Sequence, residues 1–276
     1  MIDLHCHLLP GIDDGAPDID VSIAMARLFV ADGVSTVACT PHILPGLYHN
    51  TGPDIRQRVA ALQNRLEEES IPLRLVCGAD AHVCPDFVGG LRSGRILPLA
   101  DSRYVLVEPP HHVAPQRLEQ FFFDIAVAGY VPILTHPERL TWISSHYDKI
   151  IRLSAAGTWN QITSGSLTGA FGRNAQYWAE RMLDEGQVHI LATDAHDPIR
   201  RMPDLSRGRD AAARRVGEQE AQHLVLTRPR GVLENELPSN LPAPQGASAH
   251  NPASVSSPAA ANDDSGFVGR LRRLFN

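Results

Sequence analysis

The chain has 276 residues, 43% of them hydrophobic and 20% charged, with a formal net charge of −6 at pH 7. That length supports a full core in one large domain or two modest ones. The acidic balance argues against general affinity for nucleic acid phosphates, and no apolar run reaches the length of a bilayer span.

The first residues lack the basic and apolar regions of a signal peptide. The cysteines Cys6, Cys39, Cys77 and Cys84 form no CxxC pair. Free thiols in a reducing, cytoplasmic setting are therefore expected. Along the chain, β-branched apolar runs predict strands at 2–6, 34–40, 73–78, 104–108, 131–136, 158–162 and 188–193. Helical periodicity fills the intervals, in "DVSIAMARLFVADG", "DIRQRVAALQNRLEEES", "QRLEQFFFDIAVAG", "YDKIIRLSAAG" and "NAQYWAERMLDEG". Gly33, Gly129 and Gly157 stand where helix stop signals belong. Such alternation predicts parallel pairing through right-handed crossovers. With no GxGxxG fingerprint, an α/β fold of the closed or distorted (β/α) barrel type is favoured over an open doubly wound sheet.

The composition turns after the structured part, over residues 1–237, to "PSNLPAPQGASAHNPASVSSPAAANDDSG", which predicts a disordered linker over 238–265. Residues 266–276 restore apolar side chains at helical spacing, Phe267, Leu271 and Leu274, among Arg270, Arg272 and Arg273. A short basic amphipathic segment of this kind suits peripheral contact with an anionic membrane or a partner groove.

Chemistry-bearing residues collect behind the strands. In "MIDLHCHLLPGIDDG", His5 and His7 share one face of a strand, and Asp13 and Asp14 arrive on the next loop. "CTPH" brings His42, "CGADAH" Asp80 and His82, and "LVEPPHH" Glu108. "LTHPER" brings His136, Glu138 and Arg139, and "LATDAH" Asp194 and His196. These are the C-terminal strand ends, where (β/α) barrels build their sites. Histidines and carboxylates without paired cysteines suit zinc, manganese or iron in a catalytic rather than a structural site. The candidate ligands outnumber what one ion can use, so two or three ions sharing bridging carboxylates are expected. Clustered ions generate hydroxide near neutral pH and favour hydrolysis, typically of phosphate esters. Arg139 is placed to pair with a phosphoryl group. Asn160 reads either as a pocket-lining residue or as a turn cap.

The segments "DLHCHLLPGIDDG", "CTPH", "CGAD", "DSRYVLVEPP", "THPER" and "LATDAH" resemble the polymerase-and-histidinol-phosphatase (PHP) superfamily. More closely, they resemble the manganese-dependent protein-tyrosine phosphatases of bacterial capsule and exopolysaccharide operons. The resemblance runs over residues 1–237. It implies a distorted, TIM-like (β/α)7 barrel with a trinuclear centre. By position, His5, His7 and Asp194 would hold one ion, Glu108 and His136 a second, with Asp80 bridging the two. Asp14, His42 and His196 would hold the third. The family pattern usually has Glu where this chain has Asp80, and His82 has no place in the scheme. Arg139 and Arg201, the latter with Arg200 beside it, would orient the phosphoryl group.

The implied activity is hydrolysis of phosphotyrosine by metal-activated water, with Mn2+ as cofactor and Fe or Zn as substitutes. The implied partner is a bacterial tyrosine kinase of polysaccharide export. No cysteine starts a phosphate-cradling loop: "TPHILPG" follows Cys39, "GADAHVC" follows Cys77 and "PDFVGGLR" follows Cys84. A thiolate mechanism is excluded on that ground. The alternatives are a histidinol-phosphatase-like or other small-molecule phosphoesterase, and a non-catalytic regulatory metal-binding domain.

Overall fold

A computed structural model describes residues 1–247. Nine strands form: β1 (Ile2–Cys6), β2 (Thr36–Cys39), β3 (His42–Ile43), β4 (Arg74–Cys77), β5 (Asp80–His82), β6 (Tyr104–Glu108), β7 (Val131–Thr135), β8 (Trp159–Thr163) and β9 (Ile190–Ala192). All strand pairs are parallel, in two sheets ordered β1-β2-β4 and β3-β5-β6-β7-β8-β9.

The two sheets are parts of one circuit. β2 and β3 are one strand broken at residues 40–41, where Pro41 has no N–H for the ladder. β4 and β5 are likewise one strand broken at residues 78–79. Backbone bonds cross both breaks, from Thr40 N to Cys6 O, Gly78 N to Cys39 O, and Asp80 N to Pro41 O. The circuit closes where Asp194 N donates to His5 O and His7 N to Ala195 O, both at 2.9 Å. Counting each broken strand once, seven strands run around a distorted barrel.

Side-chain alternation sorts the core into two layers. Ile2, Leu4, Ala38, Val76, Tyr104, Leu106, Ile133, Trp159, Ile190 and Ala192 pack together as the barrel interior, with Leu99 and Val232 at its floor. The opposite strand faces, with Val37, Leu75, Val105, Val107, Leu134, Ile162 and Leu191, pack against the helices. Those helices include α1 (Ile19–Ala31), α2 (Gly52–Glu68), α3 (Phe87–Arg92), α4 (Leu118–Val127), α5 (Ile143–Ala155), α6 (Ser164–Leu167) and α7 (Gly172–Asp184). α1 shows the local logic: the Asp18 carboxylate caps it by accepting from Val21 N, and Ser22, Met25, Ala26 and Phe29 form its buried stripe. Gly33, Gly129 and Gly157 follow their helices at φ of 82°, 93° and 98°, as the stop signals required.

Past β9 come α8 (Leu205–Val216), α9 (Glu218–Gln222) and α10 (Arg228–Leu233), which the periodicity did not reveal. The buried face of α8 is built from Gly208, Ala211 and Ala212 between Leu205 and Val216, too small to register as an apolar stripe.

The expected linker begins too early at residue 238. Arg228, fully buried, donates from Nε to Pro242 O at 2.7 Å and from Nη2 to Ala243 O at 3.1 Å. Its Nη2 also meets both carboxylate oxygens of Glu220, at 2.7 and 2.9 Å. Residues 238–247 are therefore held against the barrel, because a buried guanidinium takes its acceptors from their backbone. The rest of the expected linker and the basic amphipathic segment lie outside the described residues. No helix among the described residues is long and apolar enough to cross a membrane.

Candidate metal centre

A register shift between Asp3 and Cys6 aims the first two histidines. Leu4 belongs to the barrel interior but Cys6 to the outer layer, so alternation slips at His5, and bulges of this kind re-aim side chains beside active sites. Asp3 pins the slip: its carboxylate accepts from His5 N at 3.1 Å and from the Thr193 hydroxyl and amide on the neighbouring strand end. His5 and His7 then meet, Nε2 to Nε2, at 3.3 Å.

All nine expected ligands come together in one cluster, buried except at Asp14, which is exposed, and His42, which is half-buried. The His5 and His7 Nε2 atoms lie 3.4 and 3.3 Å from Asp194 Oδ1, and His5 Nε2 lies 3.5 Å from Asp80 Oδ2. Asp14 Oδ1 stands 3.5 Å from His42 Nε2 and 3.4 Å from His196 Nε2. Glu108 presents Oε1 to His136 Nε2 at 3.6 Å and Oε2 to His42 Nδ1 at 3.3 Å. Two further histidines join the group. His82 Nε2 is 2.5 Å from Glu108 Oε2, and His111 Nε2 is 3.1 Å from Glu108 Oε1.

The outer ring nitrogens are fixed by oxygen partners, of which the residue pattern singles out Asp13 but not Gln161 or the Asp194 carbonyl. His5 Nδ1 meets Gln161 Oε1 at 2.8 Å, and His7 Nδ1 meets Asp13 Oδ2 at 2.7 Å. His196 Nδ1 meets Asp194 O at 2.9 Å. Each contact commits Nδ1 as donor and turns Nε2 toward the cluster, the arrangement that metal-ligating histidines use. Asn160 is not in the pocket. Period-two alternation along β8 turns it outward, where Nδ2 donates to Gln187 O at 2.8 Å, and its neighbour Gln161 faces the centre instead.

Backbone conformation carries part of the assembly. His136 and Asp194 adopt left-handed φ of 33° and 51°, a region sparsely used by non-glycine residues and held here at the two strand ends that deliver ligands.

The electrostatics are those of a polyanionic site lined with imidazoles. Burial works against the Asp194 carboxylate, but His5, Arg139 and Arg201 overcome it and hold the group well below the usual range. Burial lowers the His5 imidazole, yet Asp80 and Asp194 more than compensate and raise it to about 9. The same opposition at His42, with Asp80 and Glu108 as the raising charges, leaves it at about 10. His196 goes the other way, down to about 4, from burial and the nearby His7. The donor set fits divalent cations. His42 Nδ1, both Asp80 oxygens, Glu108 Oε2 and His196 Nε2 are buried without hydrogen-bond partners. Orphaned buried polar atoms are costly, and cations bound among them would satisfy them.

Arg139 and Arg201 both ion-pair with Asp194 Oδ2. The Arg139 guanidinium also lies 4.4 Å from the centre of the Phe171 ring, within cation–π range. A pocket opens beside them, lined by Phe171, Thr193, Arg200, Arg201, Met202 and Arg207.

A distorted parallel α/β barrel whose strand ends gather histidines and carboxylates, with an arginine-lined pocket beside them, has the fold and the donor set of a metal-dependent hydrolase. The sequence profile described as "Capsular polysaccharide synthesis, CpsB/CapC" matches residues 1–234, and the chain belongs to that family. It is 36% identical over 242 residues to tyrosine-protein phosphatase YwqE of Bacillus subtilis, covering 88% of this chain and 87% of YwqE. To tyrosine-protein phosphatase CpsB of Streptococcus pneumoniae it is 26% identical, covering 86% of this chain and all of CpsB. A solved structure from work on YwqE from B. subtilis and CpsB from S. pneumoniae, described as unique metal-dependent tyrosine phosphatases, superposes with a TM-score of 0.84 at 33% identity. That match covers 89% of this chain and 99% of the solved one.

Proposed function

We propose that this chain is a metal-dependent protein-tyrosine phosphatase of capsule or exopolysaccharide synthesis, acting in the cytoplasm on the phosphotyrosines of a bacterial tyrosine kinase. The observation that carries the reading is the convergence of His5, His7, Asp14, His42, Asp80, Glu108, His136, Asp194 and His196, with buried donor atoms left unpartnered at its heart. The similarity to relatives named as tyrosine phosphatases, over most of their length, supports the substrate class. These residues would hold two or three ions, Mn2+ in this reading, with Fe or Zn as substitutes. Bound there, divalent cations bring the pKa of a coordinated water toward neutrality and neutralise charge on a phosphoryl group.

The chain's own residues do the positioning. Arg139 and Arg201 approach from the open side of Asp194 and share their donors with the phosphoryl oxygens. Phe171 gives the substrate's phenyl ring a face to pack on. Tyrosine leaves as a phenolate of pKa about 10, so the demand on a general acid is modest. Asp13 and Gln161 keep the His7 and His5 rings from rotating.

The test is phosphate release from a phosphotyrosine peptide after metal stripping and after manganese is restored, with His136→Ala as control. Release that depends on manganese and is lost in His136→Ala is expected. Brisk hydrolysis of small phosphomonoesters with no release from the peptide would instead identify a histidinol-phosphatase-like enzyme. Metal binding without either activity would identify a regulatory domain.

A further inference from the structure

Four imidazoles surround the Glu108 carboxylate, and the three-ion scheme uses only two of them. His42 and His82 face Oε2, while His111 and His136 face Oε1. We infer that His82 and His111 are additional metal ligands, and that they make the Glu108 side of the centre an imidazole-rich position selective for zinc or iron(II) over manganese. This inference rests on the metal-centre reading above.

Backbone register puts both histidines there. In β5, Asp80 and His82 stand two residues apart and so share a face, and the parallel register sets His82 directly beside Glu108 of β6. Val83 N donates to Glu108 O at 2.9 Å, which locks the two strand ends together. His111 lies on the loop after β6, and that loop is clamped from the far side. Its carbonyl accepts from both the amide and the hydroxyl of Thr141, each at 3.0 Å, and Pro110 O accepts from Trp142 Nε1 at 2.9 Å.

Both histidines already touch the carboxylate directly, and their donor atoms lie close enough to those of His42 and His136 to take a cation between them. His82 Nε2 is 2.5 Å from Glu108 Oε2, yet that oxygen makes no hydrogen bond and is buried. His42, His82 and Glu108 form one set of mutually close donor atoms, and Glu108, His111 and His136 form another. The His82 and His111 side chains are 16% and 29% exposed, on the solvent side of the cluster. A carboxylate shared by two pairs of imidazoles can serve two ions or one ion in two positions. Imidazole suits zinc and iron, whereas manganese favours oxygen ligands, and affinities rise from Mn2+ through Fe2+ toward the later metals.

The experiment loads the full-length protein with equal zinc and manganese, removes loose metal and counts each by mass spectrometry. A chelator titration then reads zinc affinity. His82→Asn/His111→Asn is expected to lose about one zinc per chain, or to bind its weakest zinc at least 10-fold less tightly. His82→Asp, which restores an oxygen ligand, is expected to keep the ion count and shift the ratio toward manganese. Cobalt substitution adds a direct readout, because visible absorption bands report the ligand set. Unchanged metal counts, affinity and cobalt spectrum in the double variant would overturn the inference. Apo-protein melting curves verify that each variant is folded. Phosphotyrosine assays on the same preparations separate the two readings. A wild-type chain that binds the extra zinc but never releases phosphate would sink the phosphatase reading alone.

Discussion

At the scale of single residues, the centre is decided by which nitrogen or oxygen faces inward. His5, His7 and His196 are each committed by an oxygen on Nδ1, from Gln161, Asp13 and the Asp194 carbonyl. The ligand types were legible because His, Asp and Glu recur behind successive strands. Their supports were not: Asp13 and Asp14 are adjacent and chemically identical, and only the loop's path gives one to the His7 ring and the other to the cluster. Arg139 illustrates how a charge can have two uses. It is an ion-pair partner of Asp194 and, in the proposed function, a donor to the phosphoryl group. Arg139→Ala should lower kcat/KM on a phosphotyrosine peptide by about 100-fold, the range seen when one oriented donor is removed from a reacting anion. Metal content measured on the same variant should be unchanged. Loss of metal instead would show that Arg139 acts through Asp194.

At the scale of elements, strand ends and the loops behind them carry the candidate ligands. The bulge in β1 and the left-handed residues His136 and Asp194 turn side chains that regular alternation would have placed elsewhere. Regular alternation governs β8, so the one-residue difference between Asn160 and Gln161 separates an outward side chain from a support of the site. The loop from β1 to α1 folds back tightly enough that Gly15 has no room for a side chain. A Cβ there would stand 2.2 Å from His7 O and 2.4 Å from His7 Cβ. Gly15→Ala should therefore push the Asp13–Asp14 segment off the strand and destabilise the metal-free fold by about 2 kcal/mol, a common overpacking cost. Denaturant unfolding would measure the loss. Metal analysis should show weaker retention of the ion assigned to Asp14, His42 and His196.

At the scale of the whole molecule, the ring must close for the centre to exist. His5 and His7 come from the first strand and Asp194 and His196 from the last, and the backbone bonds between those strand ends bring them into register. The chain after β9 then returns beneath the barrel, and Arg228 fastens it through Pro242 and Ala243. Two truncations divide this region. Ending the chain after Leu237 removes both backbone acceptors from a buried guanidinium and should cost about 3 kcal/mol in chemical denaturation. Ending it after Ala247 should leave stability and activity on a small aryl phosphate unchanged. The same shorter chain should sediment less with anionic vesicles if the basic segment at 266–276 touches membranes; unchanged sedimentation would reject that role.

One dimension was enough for the parallel α/β class of the fold and for a list of candidate ligands. Strand–helix alternation and the clustering of ligand-type residues behind the strands are local patterns, and local patterns survive in one dimension. Tertiary structure decided what depends on closure and register. It broke two strands at residues 40–41 and 78–79, held residues 238–247 against the barrel through a buried arginine, and set His82 and His111 around Glu108. "CGADAH" shows His82 behind its strand, but without a partner, and His111 has no signal of its own; what defines each is a neighbour on another segment, and only the closed ring of parallel strands sets that distance.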